Sequence, residues 1–285
     1  MDIFWICLGS LFGLCFLLFA VYLVLIAPAK NKRARTLEFT RVRYAHRGLH
    51  RDGVPENSLE AFRLAVESGY GIELDVRLSR DGELVVFHDD TLDRVTAESG
   101  RVADRDCAEL ENIKLLGSEH TIPRFSEVLE LVRGRVPLLV EIKEDKGSLA
   151  VTEKTCETLS KYDGEYMIES FNPLAIKKVR ELMPDTVRGV LSSYFWRFKN
   201  QRTGLFFLLQ TMALNCVARP DFVAFCHNDA RCPSFWLARH VFGVPTLAWT
   251  IKSDEEEERA LIGNFDSVIF EGYTPVSPYI DKTEN

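Results

Sequence analysis

The sequence predicts an α/β protein, a parallel sheet with helices outside it, set behind one N-terminal membrane-spanning helix. Apolar strand-like runs alternate with helix-like runs from residue 42 to residue 270, the pattern left by strand–helix–strand crossovers. Residues 3–27 carry no charged side chain. About 245 residues follow residue 40 of the 285, enough for one domain and not two.

The elements follow in order. At about 1.5 Å per residue, the apolar run 3–27 exceeds a hydrocarbon core of ~30 Å. It lacks the basic start of a cleaved signal peptide and is too long for one, so 1–29 is expected to be a retained anchor. Lys30, Lys32, Arg33 and Arg35 follow it, while only Asp2 precedes it, which predicts that the body of the chain faces the cytoplasm. Residues 30–40 are expected as a basic juxtamembrane linker and 41–280 as the globular domain.

Within that domain, Val42–His46 looks like a first strand, with Gly48 allowing a tight turn after it. A helix over 57–69 has Asn57 or Ser58 as its cap and Glu60 in its first turn. Tyr70–Val76 alternates so that Glu73 and Asp75 share one face while Ile72, Leu74 and Val76 take the other. The turn Arg80-Asp81-Gly82 leads to a run, Glu83–His88, that reads as a strand. Residues 89–124 look like an excursion, and Leu138–Lys143 puts Glu141 and Lys143 on one face. Strand signals recur at Glu165–Phe171, Thr186–Leu191, Asp221–Phe225, Val244–Thr250 and Ser267–Phe270. Helix signals lie at Pro173–Met183, 233–242 and from Ser253. The four acids after Asp254 suit the positive end of a helix dipole.

Five short pieces concentrate the chemistry: Ala45–Gly48, Pro55–Asn57, Glu73–Asp75, His88-Asp89 and Glu141–Lys143. Acids beside a hydrophobic strand are costly unless positive charge compensates, and a hard divalent cation takes carboxylate oxygens. Attack on a phosphodiester deprotonates the incoming oxygen and protonates the departing alkoxide, and His46 and His88 titrate in the range for both. Arg47 can grip two phosphate oxygens.

On these residues the chain resembles the glycerophosphodiester phosphodiesterases, relatives of phosphatidylinositol-specific phospholipase C and of sphingomyelinase D. The matching pieces keep that family's order: His46-Arg47-Gly48, Pro55-Glu56-Asn57-Ser58, Ala61-Phe62, Glu73-x-Asp75-Val76, Asp81-Gly82, Val85-Val86-x-His88-Asp89, Leu92-x-Arg94-x-Thr96, Gly100, Ile122-Pro123 and Glu141-Ile142-Lys143. Agreement continues more weakly through Ser170-Phe171-Asn172 and Trp249-Thr250, so the resemblance spans 42–275 and is densest over 45–143. It implies a (β/α)₈ TIM barrel whose site lies at the carboxyl ends of its strands, with 89–124 as a small insertion after the second strand. It implies hydrolysis of a glycerophosphodiester to an alcohol and glycerol 3-phosphate. Glu73, Asp75 and Glu141 become ligands of one divalent cation (Mg²⁺, Ca²⁺ or Mn²⁺), and His46 and His88 an acid–base pair whose division of labour stays open. Arg47 and Lys143 would contact the phosphate, and Glu56 would orient the first loop. The chain departs from the family at Val268–Pro275, where a Thr-Asp-x-Pro type sequence is usual and Glu271 stands in place of the acid.

Other residues bear on the substrate. Phe171 and Trp249, at strand ends, either wall the substrate or pack as core. His50, His120 and His240 read as ordinary surface or helix residues. Tyr194–Lys199 mixes aromatics with cations and residues 204–209 are almost wholly apolar, which fits either an outer barrel helix or an element leaning on a bilayer. The second reading adds lysophospholipids to the substrates and a phospholipase D- or C-like action. A non-catalytic headgroup-binding barrel is the other alternative, against which the histidines and carboxylates are all present. The net charge of −7 argues against a nucleic-acid partner. Seven cysteines, an odd count with two in the anchor, suggest no disulfide framework.

Overall fold

The computed structural model describes residues 2–29, 32–145 and 147–280; Lys30, part of the expected basic cluster, lies outside them. Helix α1 (Asp2–Ile26) is followed by α2 (Arg33–Phe39) and strand β1 (Tyr44–Ala45). Then come α3 (Leu59–Ser68), β2 (Gly71–Leu78), β3 (Leu84–Val86), α4 (Cys107–Leu110), α5 (Phe125–Val132) and β4 (Leu138–Ile142). The chain continues with α6 (Ala150–Leu159), β5 (Tyr166–Ser170), α7 (Pro173–Leu182), β6 (Arg188–Ser192), α8 (Gly204–Gln210) and α9 (Asn215–Ala218). The last elements are β7 (Phe222–Cys226), α10 (Pro233–Trp236), β8 (Thr246–Ile251), α11 (Asp254–Gly263) and β9 (Ser267–Phe270).

Strands β1, β2 and β4 to β9 pair in parallel, and β1 closes the ring by pairing with both β2 and β9. This is an eight-stranded barrel with its helices outside. Its interior is plugged by Tyr44, Leu139, Met167, Phe222, Leu247 and Ile269, with Phe39 of α2 closing the amino-terminal end. A Cβ on Gly189 would meet the Phe222 ring at 2.2 Å, so only glycine leaves room for that plug. A larger apolar layer lies between the sheet and the helices.

The structure changes several sequence expectations. The run Glu83–His88 is not a barrel strand: only 84–86 pair, antiparallel to β2, and they open the insertion. That insertion has its own small core of Val85, Phe87, Leu92, Leu110 and Ile122. Part of the expected basic linker is α2, docked under the barrel. Lys32 donates to the Thr186 carbonyl and pairs with Asp221, and Arg35 reaches Glu165. The cap of α3 is Ser58, whose hydroxyl accepts from Ala61 N at 3.2 Å, which frees Asn57 for another partner. Ser253 caps α11 as expected.

Candidate active site

At the carboxyl ends of β2 and β4, alternation and register bring three acids together. Asp75 lies opposite Glu141 in the parallel pair, and one oxygen from each of Glu73, Asp75 and Glu141 lies within 4.8 Å of the others. All three are buried. Lys143 Nζ is 3.1 Å from Asp75 and 2.6 Å from Glu141. Arg47 Nε is 3.4 Å from Asp75, and Arg47 donates its backbone N–H to Glu73 at 2.9 Å.

The loop after β1 is held in shape by backbone that ordinary side chains avoid. Arg47 and Asn57 have φ of 53° and 54°, a left-handed conformation costing roughly 1–3 kcal/mol apiece unless neighbours impose it. They impose it on each other, because Asn57 N–H bonds the Arg47 carbonyl at 2.9 Å. Asn57 Nδ2 donates to Asp75 at 2.9 Å. At Gly48, with φ of 81°, a Cβ would lie 2.8 Å from Ala61 Cβ, so α3 packs directly on the loop.

Each histidine has a carboxylate at Nδ1. His46 Nδ1 is 2.5 Å from Glu271 and His88 Nδ1 is 2.5 Å from Asp89. Nε2 of His46 is 4.0 Å from Glu73 and so faces the acid cluster. Arg94 holds both Asp89, at 2.5 Å, and Glu56, at 2.6 Å. Glu56 in turn accepts from Arg47 at 2.7 Å. Arg47, Glu56, Arg94, Asp89 and His88 thus form one chain of charge-assisted bonds.

Burial lowers the pKa of His46, with Arg47 adding to the fall and Glu271 opposing it. Burial takes His88 down to about 4, although Asp75 pulls the other way. Glu271 lies below the ordinary carboxylate range, chiefly through its hydrogen bonds to His46 and His50. A bond to a cationic His46 would explain the Glu271 shift, whereas the His46 shift describes a neutral ring. The neutral ring is the better description, since Nδ1–H then donates to an ionised Glu271 and Nε2 keeps its lone pair toward the acids.

Burial pushes Glu73 well up, helped by Asp75 and Glu141. Burial also lifts Glu141, to about 7, despite Lys143. Burial lifts Asp75 too, but Lys143, His88 and Arg47 outweigh it and hold the group low. Three buried carboxylates facing two cations, with Glu73 and Glu141 raised by burial and by their acidic neighbours, fit a divalent cation bound through oxygen.

Two of the acids, Glu73 and Glu141, line one cavity of about 110 Å³ with both histidines, Arg47, Lys143, Phe171 and Trp249. A wider open cleft of about 720 Å³ lies beside it, between 48–52 and 270–274, but the cation-type acids are not in its wall. The expected site residues gather at one place, with Asp75 and Glu56 outside the cavity wall, Asp75 paired with Lys143 and Glu56 bonded to Arg47. Phe171 and Trp249 line the cavity and pack edge to face, centroids 5.7 Å apart, on the interior core.

Sequence reasoning missed several residues. His50 is not an ordinary surface residue, for its Nε2 lies 3.8 Å from Glu271 in a partly buried setting; its contact comes from a loop 221 positions away, beyond any local pattern. Asp89, Arg94 and Asn57 stood inside quoted motifs without a role. Glu169 on β5 was overlooked, although it sits opposite Glu141 in register. It is buried, neither oxygen has a partner among the described residues, and burial beside Glu141 raises its pKa well above the usual range. The alternation Met167, Glu169, Phe171 was the available signal.

Comparison with known proteins gives a consistent picture. The model of the glycerophosphoryl diester phosphodiesterase family matches residues 46–272. A glycerophosphodiester phosphodiesterase of Caldanaerobacter subterraneus subsp. tengcongensis is 31% identical over 243 residues, covering 79% of this chain and 91% of its own. An Oleispira antarctica phosphodiesterase solved with the product sn-glycerol-3-phosphate superposes with a TM-score of 0.67 at 25% identity, covering 82% of this chain and 94% of its own. A Thermotoga maritima glycerophosphodiester phosphodiesterase gives 0.62 at 25% identity, over 80% and 93%.

Proposed function

This chain belongs to the glycerophosphoryl diester phosphodiesterase family and hydrolyses glycerophosphodiesters, and from that premise we propose how its own residues act. Glu73, Asp75 and Glu141 hold one divalent cation, Mg²⁺, Ca²⁺ or Mn²⁺. When bound, that ion neutralises charge growing on the phosphate's non-bridging oxygens. Lys143 and Arg47 grip the phosphate from the same wall, their own charges pinned by Asp75, Glu141 and Glu56. His46 and His88 move the protons. One accepts through Nε2 from the attacking oxygen as it bonds to phosphorus. The other enters the step as the imidazolium, held by its carboxylate, and gives its Nε2 proton to the alkoxide as the phosphorus–oxygen bond to the alcohol breaks, leaving glycerol 3-phosphate. Glu271 and Asp89 keep each ring's Nδ1 proton on the far side, so that Nε2 faces the reaction. Asn57 and Glu56 position Asp75 and Arg47, and Phe171 and Trp249 wall the substrate.

One observation carries this reading: two histidine–carboxylate pairs border a buried cluster of three acids that only two cations, Arg47 and Lys143, face. We further infer that 1–29 anchors the chain and that 41–280 is the catalytic unit on the cytoplasmic side. Helix α1 is long and apolar enough to span a bilayer, and Lys30, Lys32, Arg33 and Arg35 all follow it.

The test uses the full chain in detergent, because Ile26 and Phe39 are buried in the body. After chelation, Mg²⁺, Ca²⁺ or Mn²⁺ is restored and glycerol 3-phosphate is followed from glycerophosphocholine, glycerophosphoethanolamine and glycerophosphoglycerol. Release that needs a cation and falls at least 10³-fold in both His46→Ala and His88→Ala supports the mechanism. Full release in the presence of chelator, or in either variant, overturns it.

A further inference from the structure

The two ring nitrogens of His46 face different surroundings. Nε2 points to the acid cluster, 4.0 Å from Glu73. Nδ1 points the other way, to Glu271 Oε2 at 2.5 Å. His50 Nε2 approaches the same Glu271 oxygen at 3.8 Å. One donor atom each from His46, His50 and Glu271 thus lie within 4.8 Å of one another, a second group apart from Glu73, Asp75 and Glu141. Backbone contacts fix all three positions. β1 and β9 are neighbours, and His46 N–H donates to the Phe270 carbonyl at 2.9 Å. Glu271 N–H donates to the Ile251 carbonyl at 2.9 Å, which ties the strand end that carries the carboxylate to β8 as well. His50 N–H reaches the Gly48 carbonyl at 2.9 Å, and beside it Arg51 and Val54 exchange backbone hydrogen bonds at 3.0 and 2.8 Å. A loop closed in this way holds its histidine in place before any ligand arrives.

The donor set selects the ion. Two imidazole nitrogens and one carboxylate suit zinc, which takes three protein ligands and keeps a fourth position open. Mg²⁺ and Ca²⁺ prefer all-oxygen sets such as the acid cluster. The open cleft of about 720 Å³ is walled by His50 and Glu271, so an ion can enter from water and keep a water in its fourth position. His50 Nε2 is itself cut off from solvent, and 3.8 Å to Glu271 is a poor contact for a shielded ring nitrogen. An ion would satisfy it. Donor atoms around tetrahedral zinc stand ~3.3 Å apart, and the two separations from Glu271 Oε2, 2.5 and 3.8 Å, bracket that spacing. One cation stands against zinc: Lys252 Nζ lies 2.6 Å from the other oxygen of Glu271, on a side chain 64% exposed that is free to turn into water.

We propose that His46, His50 and Glu271 form a zinc site, separate from the site of the catalytic cation, through which zinc switches hydrolysis off. The inhibition, though not the binding, rests on the reading that His46 moves a proton. Zinc accepts the lone pair of Nδ1, and the one proton of the neutral ring passes through water to Nε2. No lone pair then faces the attacking oxygen. Nor can the ring take the second proton of an imidazolium, because Nδ1 is occupied. Both roles open to His46 are blocked, and no residue of the acid cluster has to move.

The test uses the full chain in detergent with Ca²⁺ saturating the acid cluster. Co²⁺ is the probe, because a low-coordinate ion with nitrogen ligands absorbs strongly in the visible and an octahedral, oxygen-bound ion does not. One equivalent should give that band, Zn²⁺ should abolish it, and His50→Gln should lack it at the same Co²⁺ concentration. No band in the parent, or an equal band in His50→Gln, overturns the site. Zn²⁺ should also stop glycerol 3-phosphate release from glycerophosphocholine. Losing an outer partner of a metal ligand typically costs about 10- to 100-fold in affinity, so losing a ligand should raise the half-inhibiting Zn²⁺ at least about tenfold in His50→Gln. That variant should keep its zinc-free rate within about threefold, which also shows that it folds. Lys252→Met, which removes the competing cation, should lower the half-inhibiting Zn²⁺. An unchanged value in both variants, with inhibition relieved by more Ca²⁺, places zinc at the acid cluster and overturns the proposal. A band lost in His50→Gln with no inhibition of the parent supports the site and overturns the switch. A parent that shows the band and turns over no diester supports the site and refutes the diesterase reading instead.

Discussion

Replacing Glu271 by Gln isolates the contribution of a residue that departs from the family's usual motif. Glu271 Oε2 lies 2.5 Å from His46 Nδ1, and its ionised form keeps the ring proton there. A Gln amide is near-isosteric but offers an N–H to the same nitrogen, which turns the ring over to the tautomer with its proton on Nε2. His46 then has no lone pair facing the acids. A comparable loss of the orienting carboxylate in serine proteases costs about 10⁴-fold. Here the acid cluster, Lys143 and the His88–Asp89 pair remain, so the expected fall in kcat is roughly 10²- to 10⁴-fold, about 3–5 kcal/mol. KM should move little. The pH profile gives a second readout. Glu271 raises the His46 pKa against the effect of burial, so its removal lets that pKa fall further, and the acid limb of kcat/KM should move to lower pH. Lys252→Met, which removes another partner of Glu271 at 2.6 Å, should keep kcat within a few fold. Steady-state kinetics at saturating cation, from pH 5 to 9, decide the matter. A Glu271→Gln enzyme within threefold of the parent, or one losing KM alone, refutes the reasoning.

Two further outcomes follow from the buried acids. Because burial raises the folded-state pKa of Glu169, its contribution to stability is present below the ordinary carboxylate range and is lost as pH rises through the folded value. Glu169→Gln should therefore melt above the parent at pH 8 and close to it near pH 4, by roughly 1–3 kcal/mol at the higher pH, and equal melting points at pH 8 would count against a buried, unpartnered acid. Saturating Mn²⁺ should raise the melting temperature of the parent by mass action, while Glu73→Gln should lose that rise and melt higher than the parent in chelator; a variant that keeps the full rise would remove Glu73 from the ligand set.

The legible part of this protein was the local part. Alternation in Tyr70–Val76 and Leu138–Lys143 reported which residues share a face, and those faces converge because parallel strands in a barrel end together. Closure of the ring through β1 and β9 was not readable from periodicity, and came only with the family resemblance. His88 reaches the cavity from a side ribbon on β2 and not from a barrel strand, since local apolar alternation cannot tell a barrel strand from an antiparallel edge. The partners of the histidines were less visible. His46 meets an acid 225 positions on, and His50 was passed over because its contact depends on how β9 returns to β1. The basic residues after α1 carried a topology signal, yet Lys32 is spent on Asp221 and a backbone carbonyl beneath the barrel, a long-range pairing that composition does not reveal.

The central claim is that three carboxylates hold one cation between two histidines, and that diester cleavage depends on it. Mn²⁺ occupancy read by electron paramagnetic resonance, with glycerol 3-phosphate release from glycerophosphocholine on the same sample, tests it most directly. The account predicts that rate rises in proportion to occupancy up to one ion per chain, and that Asp75→Asn shows neither tight ion nor turnover. Turnover at zero occupancy, or a tightly bound ion that survives in Asp75→Asn, would contradict it.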